Sequence, residues 1–301
     1  MAVTNATTTV TTMDKLIGES WSPETNDAVE DAMVWPKTFN DISDWLKTGD
    51  TVRIPYMYHL TPQVKSAGLA NTVNWETFTP AEQVVQTFTH HYAAFNIEIA
   101  MEEFQSYPVR SKLTEQISYA LDLGVEQASA AIPSGWTGNS PVGTLAVDLN
   151  DDDILQMREY LVLANALEGD RFLMVTPQAY TGIMKVDKFI NMDYNGDRTG
   201  RAVREAYVGH IYGLDVLVSN QCKVNGTGHD MSAHQRKAVY IIRKGVTNHV
   251  HWDDDNFATS VAGRHQFKVV TANRIPEGGT TADTPGSYTA DDKFGVWVKG
   301  L

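Results

Sequence analysis

FNIEIAMEEFQSYPVRSKLTEQISYALDLGVEQASAAI, residues 95–132, decides the reading of this chain. It opens as a strand, with Phe95, Ile97, Ile99 and Met101 alternating so that they share one face. Tyr107-Pro108 interrupts it, because a residue before proline avoids the helical region and proline fits a first helical turn. Beyond Ser111 the apolar residues fall at Leu113, Ile117, Leu121, Val125, Ala128 and Ile132, spaced as one helical stripe. Lys112, Glu115, Asp122 and Glu126 are expected on the opposite, solvated side. A helix over 109–132 reaches about 36 Å at ~1.5 Å per residue, about twice the usual length. Pro133-Ser134-Gly135 ends it.

Upstream lies an extended excursion. After the turn signal Gly49-Asp50, the residues Val52, Ile54, Tyr56 and Tyr58 alternate, and Pro55 confines that strand to an edge or a bulge. A polar, turn-prone stretch from His59 to Pro80 follows, then a second alternating run through Val84, Gln86, Phe88, His90 and Tyr92. Two strands joined in this way make a long hairpin. Connections of this length are uncommon in compact domains, and an isolated two-stranded ribbon is marginal in water. The ribbon therefore needs a surface to lie on, and another protein chain is the natural one.

Downstream, Asn150 to Asp153 caps a second helix through Ile154, Met157 or Arg158, Leu161 and Ala164. Arg171–Val175 reads as a buried strand, and Pro177 opens a short helix through Ala179, Ile183 and Met184. Asn195-Gly196 is a hairpin signal, and Gly213 punctuates two short strands between Tyr207 and Val218. Further strands are expected at Ala238–Arg243, Val246–Trp252, Gln266–Thr271 and Phe294–Val298, with a polar surface loop over 277–292. The class is α+β.

Composition bounds the rest. The chain has 301 residues with 42% hydrophobic content, enough for one large domain or two lobes. No run of 18 apolar residues exists, so no spanning helix is expected. Net charge is −13, the wrong sign for a chain that grips nucleic acid by sequence. The single Cys222 excludes an intramolecular disulfide and a cysteine-based zinc site, and points to a reducing compartment. MAVTNATTTVTT, residues 1–12, holds six threonines and no charged side chain, and it lacks the basic start and apolar stretch of a secretory signal. Residues 1–15 read as a polar arm, either a plain tail or a segment that orders against a neighbouring subunit.

Chemistry is sparse. His249-Val250-His251-Trp252-Asp253 places two imidazoles and a carboxylate on one strand face, a set that metals accept, but with no partner spacing elsewhere. His90 and His91 point to opposite faces. Asp193-Tyr194-Asn195-Gly196-Asp197 begins like a calcium loop, but Arg198 stands where glycine is needed and Arg204 where glutamate is needed. Cys222 has no adjacent histidine to activate it. No nucleophile elbow, phosphate loop or dinucleotide fingerprint appears. The expectation is therefore no catalytic residue, no cofactor and no metal.

In its order of parts the chain resembles the major capsid proteins of tailed bacteriophages with the HK97-type fold. The likeness rests on GDTVRIP at 49–55, on residues 95–132 quoted above, on FLMVTPQAYTGIMK at 172–185 and on GHIYGLDVLVSN at 209–220. The resemblance implies an N-terminal arm and lead-in over 1–48 and an extended E-loop hairpin with flanking strands over 49–92. It implies a peripheral domain with the long spine helix over 93–149 and a mainly apical domain over 150–260. Strands over 261–301 would return to the peripheral and apical sheets. It also implies a structural, non-enzymatic subunit of hexamers and pentamers, tiling an icosahedral virion shell around double-stranded DNA that is held without sequence specificity. Acidic charge would keep DNA from sticking to such a wall. Intersubunit contacts are expected at Tyr56, Tyr58, Leu60, Val64, Lys65, Leu69, Val73 and Trp75. Some relatives crosslink a loop lysine to a neighbour's asparagine; Lys65 lies in the matching loop, and nothing marks a partner for it. No charged helical stretch of about a hundred residues precedes the arm, so a separate scaffolding protein is expected, or a cleaved form. A portal protein and a cement or decoration protein complete the implied partners. Assembly is expected in the bacterial cytoplasm, with no membrane. Two other readings are a cargo-enclosing compartment of the same fold and a metal-assisted hydrolase using His249, His251 and Asp253.

Overall fold

The computed structural model describes residues 31, 33–46, 49–56, 64–65, 75, 81–86, 90–98, 109–166, 169–186, 188, 209–254, 257–272 and 293–301. Three sheets and a long helix organise them. The first sheet has the order β1-β10-β11-β4, from Asn40–Asp41 (β1), Val239–Asp253 (β10), Ala258–Thr271 (β11) and His90–Glu98 (β4). Apart from the parallel β1–β10 pair, its strands are antiparallel. The long helix, Val109–Ala130 (α2), lies across β11 and β4, where Ile117 and Leu121 pack on Val261, Ala93 and Phe95. Gly263 makes this approach possible: a Cβ there would collide with Ile117 Cγ2 and crowd Leu121.

Only part of the expected helical stripe is buried. Ile117, Leu121 and Val125 are inside, but so are Glu126, Ser129 and Ala130. Glu126 is not on the solvated side; it is fully buried, a correction to the amphipathic reading. The cause is the lead-in to the fold. Trp35–Thr38 (α1) covers the flank of the carboxyl-terminal half of α2, so the buried arc widens there.

The second sheet has the order β12-β9-β5-β7-β6, from Gly295–Gly300, Gly228–Gln235, Arg171–Val175, Leu214–Val218 and His210–Ile211, with Lys223–Asn225 (β8) also on β9. Asp151–Leu163 (α3) and Pro177–Ile183 (α4) pack into its core through Ile154, Met157, Leu161, Ala179 and Ile183. The acid cluster acts as expected: Asn150 and Asp153 form a reciprocal capping box at the start of α3. Tyr212 and Gly213 both take positive φ, +47° and +84°, the requirement of a tight hairpin turn.

Other sequence expectations shift. Ala238–Arg243 and Val246–Trp252 are one strand, β10, continuous through an irregularity between Lys244 and Thr247. The run from Val84 to Tyr92 is two strands, Ala81–Gln86 (β3) and β4, in different sheets. The apolar phase of β3 is also displaced by one residue: Gln83 and Val85 are buried and Val84 is exposed. Such a slip exchanges the two faces. Strand β9 has no counterpart in the sequence reading. The hairpin signal at 195–196, the calcium-like 193–204, the loop 277–292 and the arm 1–15 lie outside the described residues.

Candidate assembly surface

The hairpin is built from Thr51–Tyr56 (β2) and β3, which pair with each other and with no other described strand. This suits Pro55, which cannot donate a ladder bond. Cross-strand pairs Val52–Val85 and Ile54–Gln83 put one face of the ribbon on the first sheet. There Val52, Ile54 and Val85 join Ile42 and Ile242 in a small separate core. Gln83 Nε2 donates to the Thr271 carbonyl at 2.9 Å. The outer face carries the exposed pair Arg53–Glu82 at 2.5 Å. So the base of the ribbon is held by its own chain.

Of the residues expected to make intersubunit contacts, Tyr56 ends β2 opposite Ala81. Val64, Lys65 and Trp75 are exposed, Val64 at 97% and Trp75 at 86%. Tyr58, Leu60, Leu69 and Val73 lie outside the described residues. A valine gains ~1.5–3 kcal/mol when an exposed side chain becomes buried, and the exposed indole is a further piece of uncovered apolar surface.

A second feature was missed from sequence. Glu126 on α2 receives the backbone N–H of Val34 and of Trp35, each within 3.1–3.2 Å of both carboxylate oxygens. Ser219 Oγ donates to Oε1 at 3.2 Å. Burial pushes the Glu126 carboxyl above its ordinary range, against the opposing pull of these hydrogen bonds. Nearby, the Asp31 N–H donates to Tyr119 Oη at 3.1 Å, and the Asp31 carboxylate accepts from Asn220 Nδ2 and Gln221 Nε2. The segment leading in from residues 1–30 is thus fastened at one point to the long helix and to the loop after β7. The only sequence signal was a glutamate one residue off the apolar stripe.

The candidate chemical groups do not converge. No cluster of three metal-ligating side chains exists among the described residues. His249 and His251 are exposed on β10, opposite Ala262 and Ser260. His90 meets Gln266, whereas His91 stacks on Phe267 with ring centroids 4.2 Å apart, on the other face as expected. Cys222 is buried, and burial, followed by the negative charges of Glu126 and Asp230, pushes its thiol up to about 12. A recess of about 450 Å³ beside the β6–β7 turn is lined by Arg158, Asp170, His210 and Tyr212 among others. Its groups bond to protein: His210 Nδ1 to Asp215 at 2.8 Å, and Tyr212 Oη to Asp151 at 2.7 Å. No described helix is long and apolar enough to cross a membrane.

No protein-family model matches the chain, and no curated protein matches it. Solved structures do, over nearly the whole length. A structure from Mycobacterium phage Che8 matches with a TM-score of 0.75 at 16% identity, covering 94% of this chain and 96% of that one. The capsid structure of cyanophage P-SCSP1u matches with a TM-score of 0.72 at 15% identity, covering 99% and 97%. The fold is that of phage capsid proteins. The acidic stable capsid structure of Helicobacter pylori bacteriophage KHP30 matches with a TM-score of 0.73 at 11% identity, covering 99% of both chains. At these identities the likeness lies in the path of the backbone, and it includes the α+β arrangement that the resemblance to HK97-type capsid proteins implied.

Proposed function

We propose that this chain is the major capsid protein of a tailed phage, assembling into hexamers and pentamers of an icosahedral shell around double-stranded DNA. The observation that carries the reading is a capsid-protein fold spanning 94–99% of the chain in the matches cited. The hairpin supports it physically. Its base is seated on its own sheet, while Val64 and Trp75 present apolar surface that a neighbouring copy would cover. In this reading the first sheet with α2 forms the peripheral domain and its spine helix, the second sheet forms the apical domain, and residues 57–80 form the E-loop tip. The protein acts as structure rather than catalyst. Its acidic balance, −13, suits a wall that encloses DNA without adhering to it. Its partners are copies of itself, a separate scaffolding protein, a portal protein and a cement or decoration protein. Its place is the virion, after assembly in the bacterial cytoplasm. Negative-stain imaging of the purified protein, expressed with and without the co-expressed scaffolding protein, tests this. Rings or shells are the expected result, and a chain that stays solitary at every concentration contradicts it.

A further inference from the structure

The seam between α2 and the first sheet holds two histidines side by side. His265 on β11 pairs directly with His91 on β4, next to the Gly263–Ala93 pair that Ile117 and Leu121 of α2 overlie. Alternate residues of a strand share a face, so both imidazoles lie on the helix side, with Phe267 next along β11. His91 stacks on Phe267, and the His265 ring meets it at 5.4 Å, tilted by 50°. His91 is half-buried and His265 is 4% exposed, with no hydrogen-bond partner for its Nδ1 among the described residues. The neutral ring can keep that nitrogen as a bare acceptor. A proton there would place a charge and an unsatisfied donor inside the seam.

The surroundings favour the neutral ring. Burial holds the His265 pKa below its ordinary 6.5, and Arg243 on β10 and His91 push the same way; Asp122 on α2 and the backbone of Lys244 pull against them. Arg243 is itself paired with Asp41 on β1 at 2.6 Å. We propose that His265 and His91 form an acid-sensitive joint that seats α2 on the first sheet when neutral and releases it when protonated. The sign follows from which arrangement binds the proton better. An opened seam lets water reach the ring, so the proton is held more tightly there than in the closed one. The joint is therefore complete above about pH 6.5 and loosens progressively below it. Charge on His91 adds to the effect, because like charges directly opposite each other weaken a strand pair. The joint lies within one chain and needs no neighbour, so it stands apart from the shell reading.

Hydrogen exchange of the unassembled full-length chain at pH 7 and pH 5 tests it, with protection taken relative to the unfolded chain at each pH. Protection of amides in 113–125 and 261–267 is expected to fall about tenfold further than that of amides in 171–175. Residues 171–175 form β5 in the second sheet, so they report the acid response of the molecule as a whole. His265→Gln, a polar side chain that takes up no proton, should abolish the excess. His91→Gln, at the half-buried position, should reduce it. An equal fall in both sheets overturns the inference, and so does an excess that survives His265→Gln. If that substitution unfolds the chain, His91→Gln decides alone: a smaller excess supports the joint, and an undiminished one overturns it. Failure of this inference leaves the shell reading untouched, because no assembly enters the measurement.

Discussion

Two buried ionisable residues set what single substitutions will do. Glu126→Ala leaves the Val34 and Trp35 N–H groups without their acceptor, which costs about 2–5 kcal/mol. Chemical denaturation measures that loss, and hydrogen exchange should show both amides opening first. His234 is the other. It is fully buried, stacked on Trp35 and ringed by Phe39, Trp136 and Phe172. Thr38 Oγ1 donates to the Trp35 carbonyl, so His234 Nε2 donates to Thr38 at 3.1 Å and Nδ1 accepts from Ser232 at 3.0 Å. Burial pushes its pKa down to about 3. The unfolded chain therefore binds the proton first as pH falls. The stability contributed by the neutral ring is complete above about 6.5 and is lost between there and about 3, by about 1.4 kcal/mol per pH unit. Wild type should lose ground to His234→Gln at about that slope between pH 6 and pH 4, measured by denaturation at each pH; parallel profiles would contradict the assignment. Neither residue was legible beforehand. A lone glutamate or histidine carries no sequence mark of the cavity that receives it, because that cavity is made largely by segments roughly sixty to two hundred residues away.

At the scale of elements, regular patterns were legible and compensated polar ones were not. The long helix, the capped helix at Asp151 and the buried strand at Arg171 all follow from spacing, capping and punctuation. Strand β9, GHDMSAHQ, is buried along its length yet reads as polar. Its hydrogen bonds offset part of the cost, although His229 Nδ1 and Gln235 Oε1 are buried without a partner among the described residues. Asp230 accepts from Asn225 Nδ2 at 2.7 Å and from Trp297 Nε1 at 2.9 Å, and His234 is satisfied as above. Hydropathy cannot reveal a strand whose partners arrive from β8 and β12. The slip in β3 has a similar cause, since Gln83 is buried to bond the end of β11. Helix–sheet packing gives the sharpest prediction here. Gly263→Ala places a methyl group against Ile117 and Leu121 and should cost about 1–3 kcal/mol. Thermal unfolding checks it, and an unchanged midpoint would mean that α2 does not sit where the sheet places it.

At the scale of the whole molecule, the order of parts was more informative than any motif. A long hairpin followed by one long helix and a mixed domain was enough to suggest the fold, although the sequence identity to the matched structures is only 11–16%. What the sequence left obscure was the division of the hairpin's labour. Its base is stabilised at home by Val52, Ile54, Val85 and Ile242, and the proposed function leaves only residues 57–80 to a neighbour. That division predicts that the tip can be removed without unfolding the chain. The most direct measurement is sedimentation of the full chain beside a variant lacking residues 60–80, under conditions that assemble the full chain. The full chain should run as capsomers or shells, and the shortened one as a folded monomer with its helical circular dichroism intact. Shells of normal size from the shortened chain would contradict the account.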